Sequence, residues 1–243
     1  MHIIKLNATD STNSYLKDLT LSGTPEDYTV VIAEQQRKGR GQMGTVWESE
    51  SGKNLTFSIL KLLNNVDVTQ SFALNMHVSL ALYNALKRLQ VPRLCIKWPN
   101  DILSGTDKLC GILIENILSG KRIQASVIGI GLNINQTNFN TLTNVSSLKL
   151  VLGKSHNVAE ILQLITEELE RELSCIPTSD INALQSRYEK QLFRKDKPST
   201  FEDKDGQLVM GFIKGVSAQG KLRVALEDAI VKEFDLKELR LLY

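Results

Sequence analysis

The sequence is poor in the residues that build metal centres and disulfide frameworks. It has three cysteines and three histidines, and they form neither a CxxC pair nor a cluster. An odd number of widely spaced cysteines argues against paired disulfides and against a zinc site. We therefore expect no metal held by side chains, and a reduced cytoplasmic protein in which Cys95 and Cys110 are buried core residues.

Long apolar runs and runs of one charge are also missing. No segment reaches the ~18 apolar residues of a membrane helix, and residues 1–13 lack the basic and apolar parts of a signal peptide. The net charge is only +2, and no stretch of five Lys and Arg residues occurs. A surface that follows a phosphate backbone is therefore unsupported. The sequence predicts neither a membrane nor a nucleic-acid partner.

What is present is an ordinary globular composition with clear periodicity. Hydrophobic residues make up 42% of the chain, which is enough for a substantial core. Segments rich in β-branched residues predict strands at about 2–7, 28–36, 54–63, 93–98, 109–118 and 122–135. Apolar residues at helical spacing predict helices at about 13–21, 69–90, 158–173 and 179–193. The mixture predicts an α+β fold.

The composition changes at Arg194, where a polar segment interrupts the helical pattern. Short alternating strands with glycine turns follow it. Because about 45 residues are few for an independent core, we expect a small β-barrel that leans on the main domain. The predicted domains are residues 1–194 and 195–243.

The first candidate motif is a long loop that spells G-x-G-x-x-G from Gly39 to Gly44. A dinucleotide-binding loop would lead from a strand into a helix, and no helix pattern follows this one. Two interpretations remain: a flexible loop, or a loop whose backbone N–H groups wrap a phosphate. In the second, Arg40 adds positive charge and Trp47 offers a flat apolar surface to a purine ring.

Two further motifs lie at the ends of predicted strands. Pro99 fixes the chain after a short strand and presents Asn100 and Asp101 outward, although a plain turn has the same pattern. Lys108 opens an apolar strand near Gly111. This pattern fits either a lysine that projects into a pocket or a solvated strand end.

Glycines and small polar residues supply the remaining signals. Gly129 and Gly131 lie within a strand, which indicates the close approach of a ligand or another backbone, or a simple bulge. The Ser11-Thr12-Asn13 segment offers either a helix cap or hydrogen bonds to an uncharged polar ligand. Gln36, at the end of a strand, offers another such hydrogen bond or a contact with solvent.

In this combination and order, the motifs resemble the biotin protein ligase family over about residues 3–135, and more weakly in the C-terminal strands. The matching pieces are STN at 11–13, Gln36, GRGQMGTVW at 39–47, KWPND at 97–101, KLCGIL at 108–113 and GIGLNIN at 129–135. The resemblance implies a mixed sheet flanked by helices, the class II synthetase-like biotin/lipoate ligase fold, followed by an SH3-like barrel.

The resemblance also implies an activity. Such a ligase activates biotin with ATP as biotinyl-5′-AMP, with Mg²⁺ screening the phosphates, and transfers biotin to a lysine of a biotin carboxyl carrier protein. We expect a ligase without a DNA-binding domain, because the chain starts at the catalytic strand. The family pairs through sheet edges, so a homodimer is one expectation for an oligomeric state that the sequence leaves open.

Matched positions assign the site residues. The family's biotin contacts fall on Ser11, Thr12, Asn13, Gln36, Gly39, Arg40, Gly41, Gln42 and Lys108. Its nucleotide contacts fall on Arg40, Trp47, Asn100, Lys108 and Asn133. The chemistry assigns Lys108 and Arg40 to neutralise charge that grows at the α-phosphate. It assigns Asp101 to orient and deprotonate the acceptor lysine.

Two departures and two alternatives accompany this assignment. Gln42 and Thr45 stand where many family members carry arginine, so weaker retention of the adenylate is expected. A lipoate or octanoate ligase shares the fold, but the Arg-Arg…Gly-Gly-Gly…His pattern of those enzymes is missing. A non-catalytic biotin-binding module is the other alternative, and the presence of both Lys108 and Arg40 argues against it.

Overall fold

A seven-stranded mixed sheet organises the first four-fifths of the chain. The structure, a computed structural model, describes residues 1–140, 142–226 and 230–243, apart from the side chains at 64 and 65. The strand order is β1-β2-β3-β7-β6-β5-β4; β1 and β2 pair in parallel and the other neighbours are antiparallel. The strands are β1 (Ile3–Thr9), β2 (Val30–Gln36), β3 (Leu55–Asp67), β4 (Leu94–Lys97), β5 (Asp101–Ser104), β6 (Asp107–Ser119) and β7 (Arg122–Leu132).

Helices flank this sheet as the sequence predicts. They are α1 (Thr12–Ser22), α2 (Ser71–Arg88), α3 (Leu148–Leu152), α4 (Val158–Ser174) and α5 (Ile181–Glu189). The side chain of Asn157 caps α4 by accepting a hydrogen bond from the Ala159 N–H. The predicted α+β fold is confirmed, although β5 and α3 were not foreseen. None of the helices in the described part of the chain combines the length and apolarity needed to cross a bilayer.

Alternation along the central strands sorts their side chains onto two faces of the sheet. On one face, residues such as Phe57, Ile112 and Ile128 belong to the main hydrophobic core with α2 and α4. On the other face, Leu60 and Val127 pack against α1. Farther along that second face the side chains become small or vanish, at Ser58, Gly111, Gly129 and Gly131. None of the described helices packs across this part of the sheet, which lies beside the N-terminus of α1.

The C-terminal residues form a second, antiparallel sheet. Its strands are β8 (Pro198–Asp203), β9 (Leu208–Val216), β10 (Leu222–Leu226), β11 (Val231–Phe234) and β12 (Leu239–Leu242). The order β11-β10-β9-β8-β12 is open, since no pairing among the described residues joins β11 to β12. The sequence predicts a small SH3-like barrel here; the C-terminal β-strands are confirmed and form an antiparallel sheet, but the described strands do not close into a barrel. The edge strand β11 has only four residues and is largely exposed, so it offers little surface for closure.

The two sheets share one core. Phe201 and Val224 of the second sheet belong to the same buried cluster as the main domain, and the Trp98 indole N–H donates to the Gly220 carbonyl at 2.8 Å. The division into residues 1–194 and 195–243 stays a prediction. Cys110 is fully buried, and burial raises the pKa of its thiol, while burial raises the pKa of the half-buried Cys95 thiol to about 11.

Candidate active site

The uncovered part of the sheet is the floor of a cavity of about 240 Å³. It is bounded by the start of α1, the glycine loop and the strand ends that follow Pro99. Its lining residues are Ser11, Thr12, Asn13, Gln36, Arg40, Gly41, Gln42, Thr45, Trp47, Phe57, Asn100, Asp101, Lys108, Gly111, Ile112, Leu113, Gly129, Ile130 and Gly131. Cationic, neutral polar and apolar groups therefore face one space.

Two paired glycines give the floor a flat backbone surface. Gly111 and Gly131 are partners in the β6–β7 ladder, and the ring of Trp47 lies directly on them. A Cβ atom at residue 131 would come within 2.4 Å of the indole, and one at residue 111 within 3.1 Å. The indole N–H is buried and has no hydrogen-bond partner among the residues the structure describes. It is a donor available to a ligand in the cavity.

A polar network lines the end of the cavity at α1. Gln36 Oε1 accepts hydrogen bonds from the Thr12 N–H at 2.9 Å and the Thr12 hydroxyl at 3.1 Å. The buried Ser58 hydroxyl lies 2.7 Å from Thr12 Oγ1 and 2.6 Å from Asn13 Oδ1. Ser11 is the N-cap residue of α1, but its side chain makes no capping hydrogen bond. These side chains are thus organised around the cavity rather than around the helix end.

The glycine loop is folded into a small hairpin by its own backbone. The Gly41 N–H donates to the Thr45 carbonyl at 2.7 Å, and the Trp47 N–H donates to the Gly39 carbonyl at 3.0 Å. A Cβ atom would lie 2.3 Å from the Trp47 carbonyl at residue 39 and 2.3 Å from Thr45 Oγ1 at residue 41. Both positions therefore require glycine for close approach of the strands of the hairpin.

One ion pair lies in the lining of the cavity. Lys108 Nζ lies 2.7 Å from Asp101 Oδ1, as a close ion pair rather than a well-aligned hydrogen bond. The same ammonium is 5.6 Å from the centre of the Trp47 ring, within reach of a cation–π interaction. Asn100 donates from its side-chain amide to the Ile112 carbonyl at 2.7 Å, which fixes the turn that carries Asp101. An anion entering the cavity would meet a preorganised cation.

Comparison with known proteins agrees with this geometry. Residues 6–133 match the biotin/lipoate A/B protein ligase family. The biotin–[acetyl-CoA-carboxylase] ligase of Mycobacterium tuberculosis is 30% identical over 240 residues, which cover 96% of this chain and 87% of that protein. The chain belongs to the biotin/lipoate A/B protein ligase family.

Other relatives extend the comparison. The bifunctional ligase/repressor BirA of Bacillus spizizenii is 33% identical over 135 residues, so the match spans 56% of this chain and 41% of that protein. A structure of the biotin protein ligase from Aquifex aeolicus, in complex with biotin and ATP, superposes with a TM-score of 0.80. At 24% identity it covers 99% of this chain and 98% of the other, and it shows that the fold is shared.

Most site residues expected from the family pattern line the one cavity. Gly39 and Asn133 are the exceptions. Gly39 supports the loop hairpin from just outside the lining. Asn133 is buried, and its side-chain amide donates to the Ser146 carbonyl at 3.0 Å. Its backbone N–H donates to the Leu109 carbonyl at 2.9 Å, which ties two strand ends together. The nucleotide contact assigned to Asn133 stays a prediction.

Two polar residues beside the cavity were not predicted from the sequence. Ser58 lies in an apolar strand and supports Thr12 and Asn13 from below. Glu115 lies in the apolar strand β6 and contacts Arg40 and Asn13. A polar residue that interrupts an apolar strand was the available signal, because burial of such a group requires a partner. Its partner could not be named without the strand register.

Replacing Gly131 with alanine should displace the Trp47 ring. The added methyl would stand 2.4 Å from the indole, where ordinary contact begins at 3.4 Å, so the ring must move by about 1 Å. We expect a red-shifted tryptophan emission as the indole becomes hydrated. Gly23→Ala is the control, since its nearest heavy atom would be 3.7 Å away. Identical spectra for the two variants would contradict the observed stacking of Trp47 on the glycine pair.

Proposed function

We propose that the chain is an ATP-dependent biotin protein ligase. It joins biotin to AMP and then transfers the biotinyl group to a lysine of a biotin carboxyl carrier protein. The observation that carries the proposal is the single cavity in which neutral hydrogen-bonding side chains at α1 face the cations Arg40 and Lys108. Family membership by itself leaves biotin and lipoate open, because the family includes ligases of both acids.

The neutral end of the cavity suits the ureido ring of biotin. That ring is uncharged, carries two N–H donors and one carbonyl acceptor, and sits on an apolar bicycle. Ser11, Thr12 and Asn13 are at most 4% exposed, and Gln36 is held in place by Thr12. A pocket whose polar groups are fixed in place beside apolar surface binds such a ligand selectively. Lipoate has no ureido group and could not form hydrogen bonds of this kind with these polar side chains.

The cationic end suits formation of the adenylate. An oxygen of the biotin carboxylate attacks the α-phosphorus of ATP, and the bond from that phosphorus to pyrophosphate breaks. Two anions must approach each other, so fixed positive charge lowers the barrier. Arg40 and Lys108 supply that charge from the loop and from β6. The Trp47 ring and Asn100 border the same space, where the purine of ATP and its ribose would lie.

Transfer requires a neutral amine. The acceptor lysine has a reference pKa of about 10.4 and is protonated at neutral pH. Asp101 accepts its proton in the proposed mechanism, and the free amine attacks the acyl carbon of biotinyl-AMP. The bond from that carbon to the phosphate oxygen then breaks and AMP leaves. AMP is a far better leaving group than the oxide ion that a free carboxylate would have to release.

Magnesium is proposed to arrive with ATP. Among the described residues, no group of three or more His, Cys, Asp and Glu side chains could hold a metal ion, and Asp101 is already paired with Lys108. The phosphates and water are therefore the expected ligands of Mg²⁺.

We also propose that the protein is cytoplasmic and that it forms a homodimer. β1 is the outer strand on one side of the sheet, which offers an edge for pairing.

Pyrophosphate release tests the proposal directly. The purified chain is incubated with Mg-ATP and biotin, lipoate, octanoate or no acid. We expect release with biotin only, followed by biotin transfer when a biotin carboxyl carrier domain is added. Release with lipoate or octanoate instead would support the related ligase. Biotin binding without release would identify a non-catalytic biotin-binding module.

A further inference from the structure

Glu115 joins the glycine loop to the polar network beneath the cavity. Its Oε2 atom lies 2.5 Å from an Nη atom of Arg40 and accepts a hydrogen bond from Asn13 Nδ2 at 2.9 Å. Asn13 in turn contacts Ser58, which contacts Thr12. One continuous chain of polar contacts therefore runs from the loop arginine to the proposed ureido pocket.

The position of Glu115 relative to the cavity defines what it can do. Arg40 borders two cavities: the candidate active site and a second one between the glycine loop and β6. Glu115 borders only the second. The carboxylate thus holds the guanidinium from the side away from the substrates. Arginine has five N–H donors in a rigid fork, so one contact with Glu115 leaves others to face the active site.

Arg40 needs such support, because its side chain is 43% exposed and sits on a loop. A free arginine side chain samples many rotamers, and fixing one of them has an entropic cost. Glu115 is anchored on the strand β6, is 23% exposed and is itself fixed by the buried Asn13. An acid of this kind orients the guanidinium before substrates arrive, as electrostatic catalysis requires.

We propose that Glu115 is a positioning residue for adenylate formation, which acts by aiming Arg40 at the reacting phosphate. The inference rests on the proposed function. It adds that occupation of the ureido pocket and the placement of Arg40 are linked through Asn13 and Glu115.

Glu115→Gln tests the inference with little structural change. A glutamine carbonyl still accepts the hydrogen bond from Asn13, but the charge that holds Arg40 is gone. We expect kcat for biotin-dependent pyrophosphate release to fall by roughly tenfold to 100-fold, as for a catalytic group misplaced by about 1 Å. KM for biotin should stay within about threefold, because the ureido contacts remain. The matched control is Glu48→Gln, which removes the same charge from an exposed loop position.

A double-mutant cycle identifies the route of the effect. If Glu115 acts through Arg40, adding Glu115→Gln to Arg40→Ala should cause no further loss beyond about threefold. Glu115→Asp keeps the charge on a shorter side chain and should retain more activity than Glu115→Gln. If the Glu115→Gln protein does not fold, Glu115→Asp is used in the cycle instead.

Three results would overturn the proposal. They are a Glu115→Gln enzyme as active as the Glu48→Gln control, independent losses that multiply in the double variant, and a KM effect without a kcat effect. Pyrophosphate release by the unmutated protein separates the role of Glu115 from the proposed function. If it releases no pyrophosphate with biotin, the function itself fails; if it does and Glu115→Gln is unchanged, only the role of Glu115 fails.

Discussion

Replacing Lys108 with alanine should slow adenylate formation by about 10²–10³-fold, the usual loss when one fixed stabilising group is removed from a transition state. Its ammonium stands in the candidate cavity, 2.7 Å from the Asp101 carboxylate. Gly111 leaves room for it, since a Cβ atom there would lie 3.2 Å from Nζ. Single-turnover measurement of pyrophosphate release reports this step directly.

The fold should survive the substitution, because the side chain of Lys108 is 30% exposed and its backbone contacts are unaffected. Lys53→Ala is the matched control. Lys53 is also a partly exposed lysine paired with a carboxylate, that of Glu50, but it lies outside the lining of the cavity. A Lys108→Ala enzyme that reacts within a few fold of the Lys53→Ala enzyme would refute the assigned role.

Asp101→Asn should slow transfer to the acceptor by roughly 10²-fold, the lower end of the range for general acid–base catalysis. Asparagine keeps the shape of the side chain but cannot take a proton from the acceptor amine. Adenylate formation should suffer less, because Lys108 stays cationic without its partner. Transfer is measured alone by supplying synthetic biotinyl-AMP and a biotin carboxyl carrier domain, and following biotinylation in a single turnover.

Asp107→Asn provides the comparison for that experiment, since Asp107 lies at the start of β6 and outside the cavity lining. A pH profile adds a second reading. The starting protein should gain transfer rate as pH rises and the acceptor amine loses its proton, and Asp101→Asn should need a higher pH for the same rate. Transfer from supplied adenylate at the starting rate would exclude Asp101 as the base.

Motifs with local causes could be predicted from the sequence. The glycine loop, the turn after Pro99 and the lysine of β6 each have a short-range signal, and the fold brings them to one cavity. The Ser11-Thr12-Asn13 segment had two interpretations, a helix cap or a ligand contact. Ser11 makes no side-chain cap, and Thr12 and Asn13 bond to Gln36 and Ser58 instead, an arrangement consistent with the second.

Features that depend on register or closure could not be predicted. Glu115 meets Arg40 across 75 residues of sequence, on the face of β6 that also carries the contact with Asn13. The strand β5 has four residues and the helix α3 has five, and neither is long enough to reveal a period. Closure of the C-terminal strands depends on long-range pairing, for which alternation along each strand contains no information.

Alternate residues of β7 face the core and the cavity, which has a consequence for laboratory evolution. Ile128 and Ile130 point into the main core, while the neighbouring Gly129 and Gly131 point to the cavity. A substitution at either glycine therefore disturbs ligand contacts and leaves the core packing alone. Libraries restricted to these two glycines, with Asn13 and Trp47 varied to make room, could search for new acyl substrates.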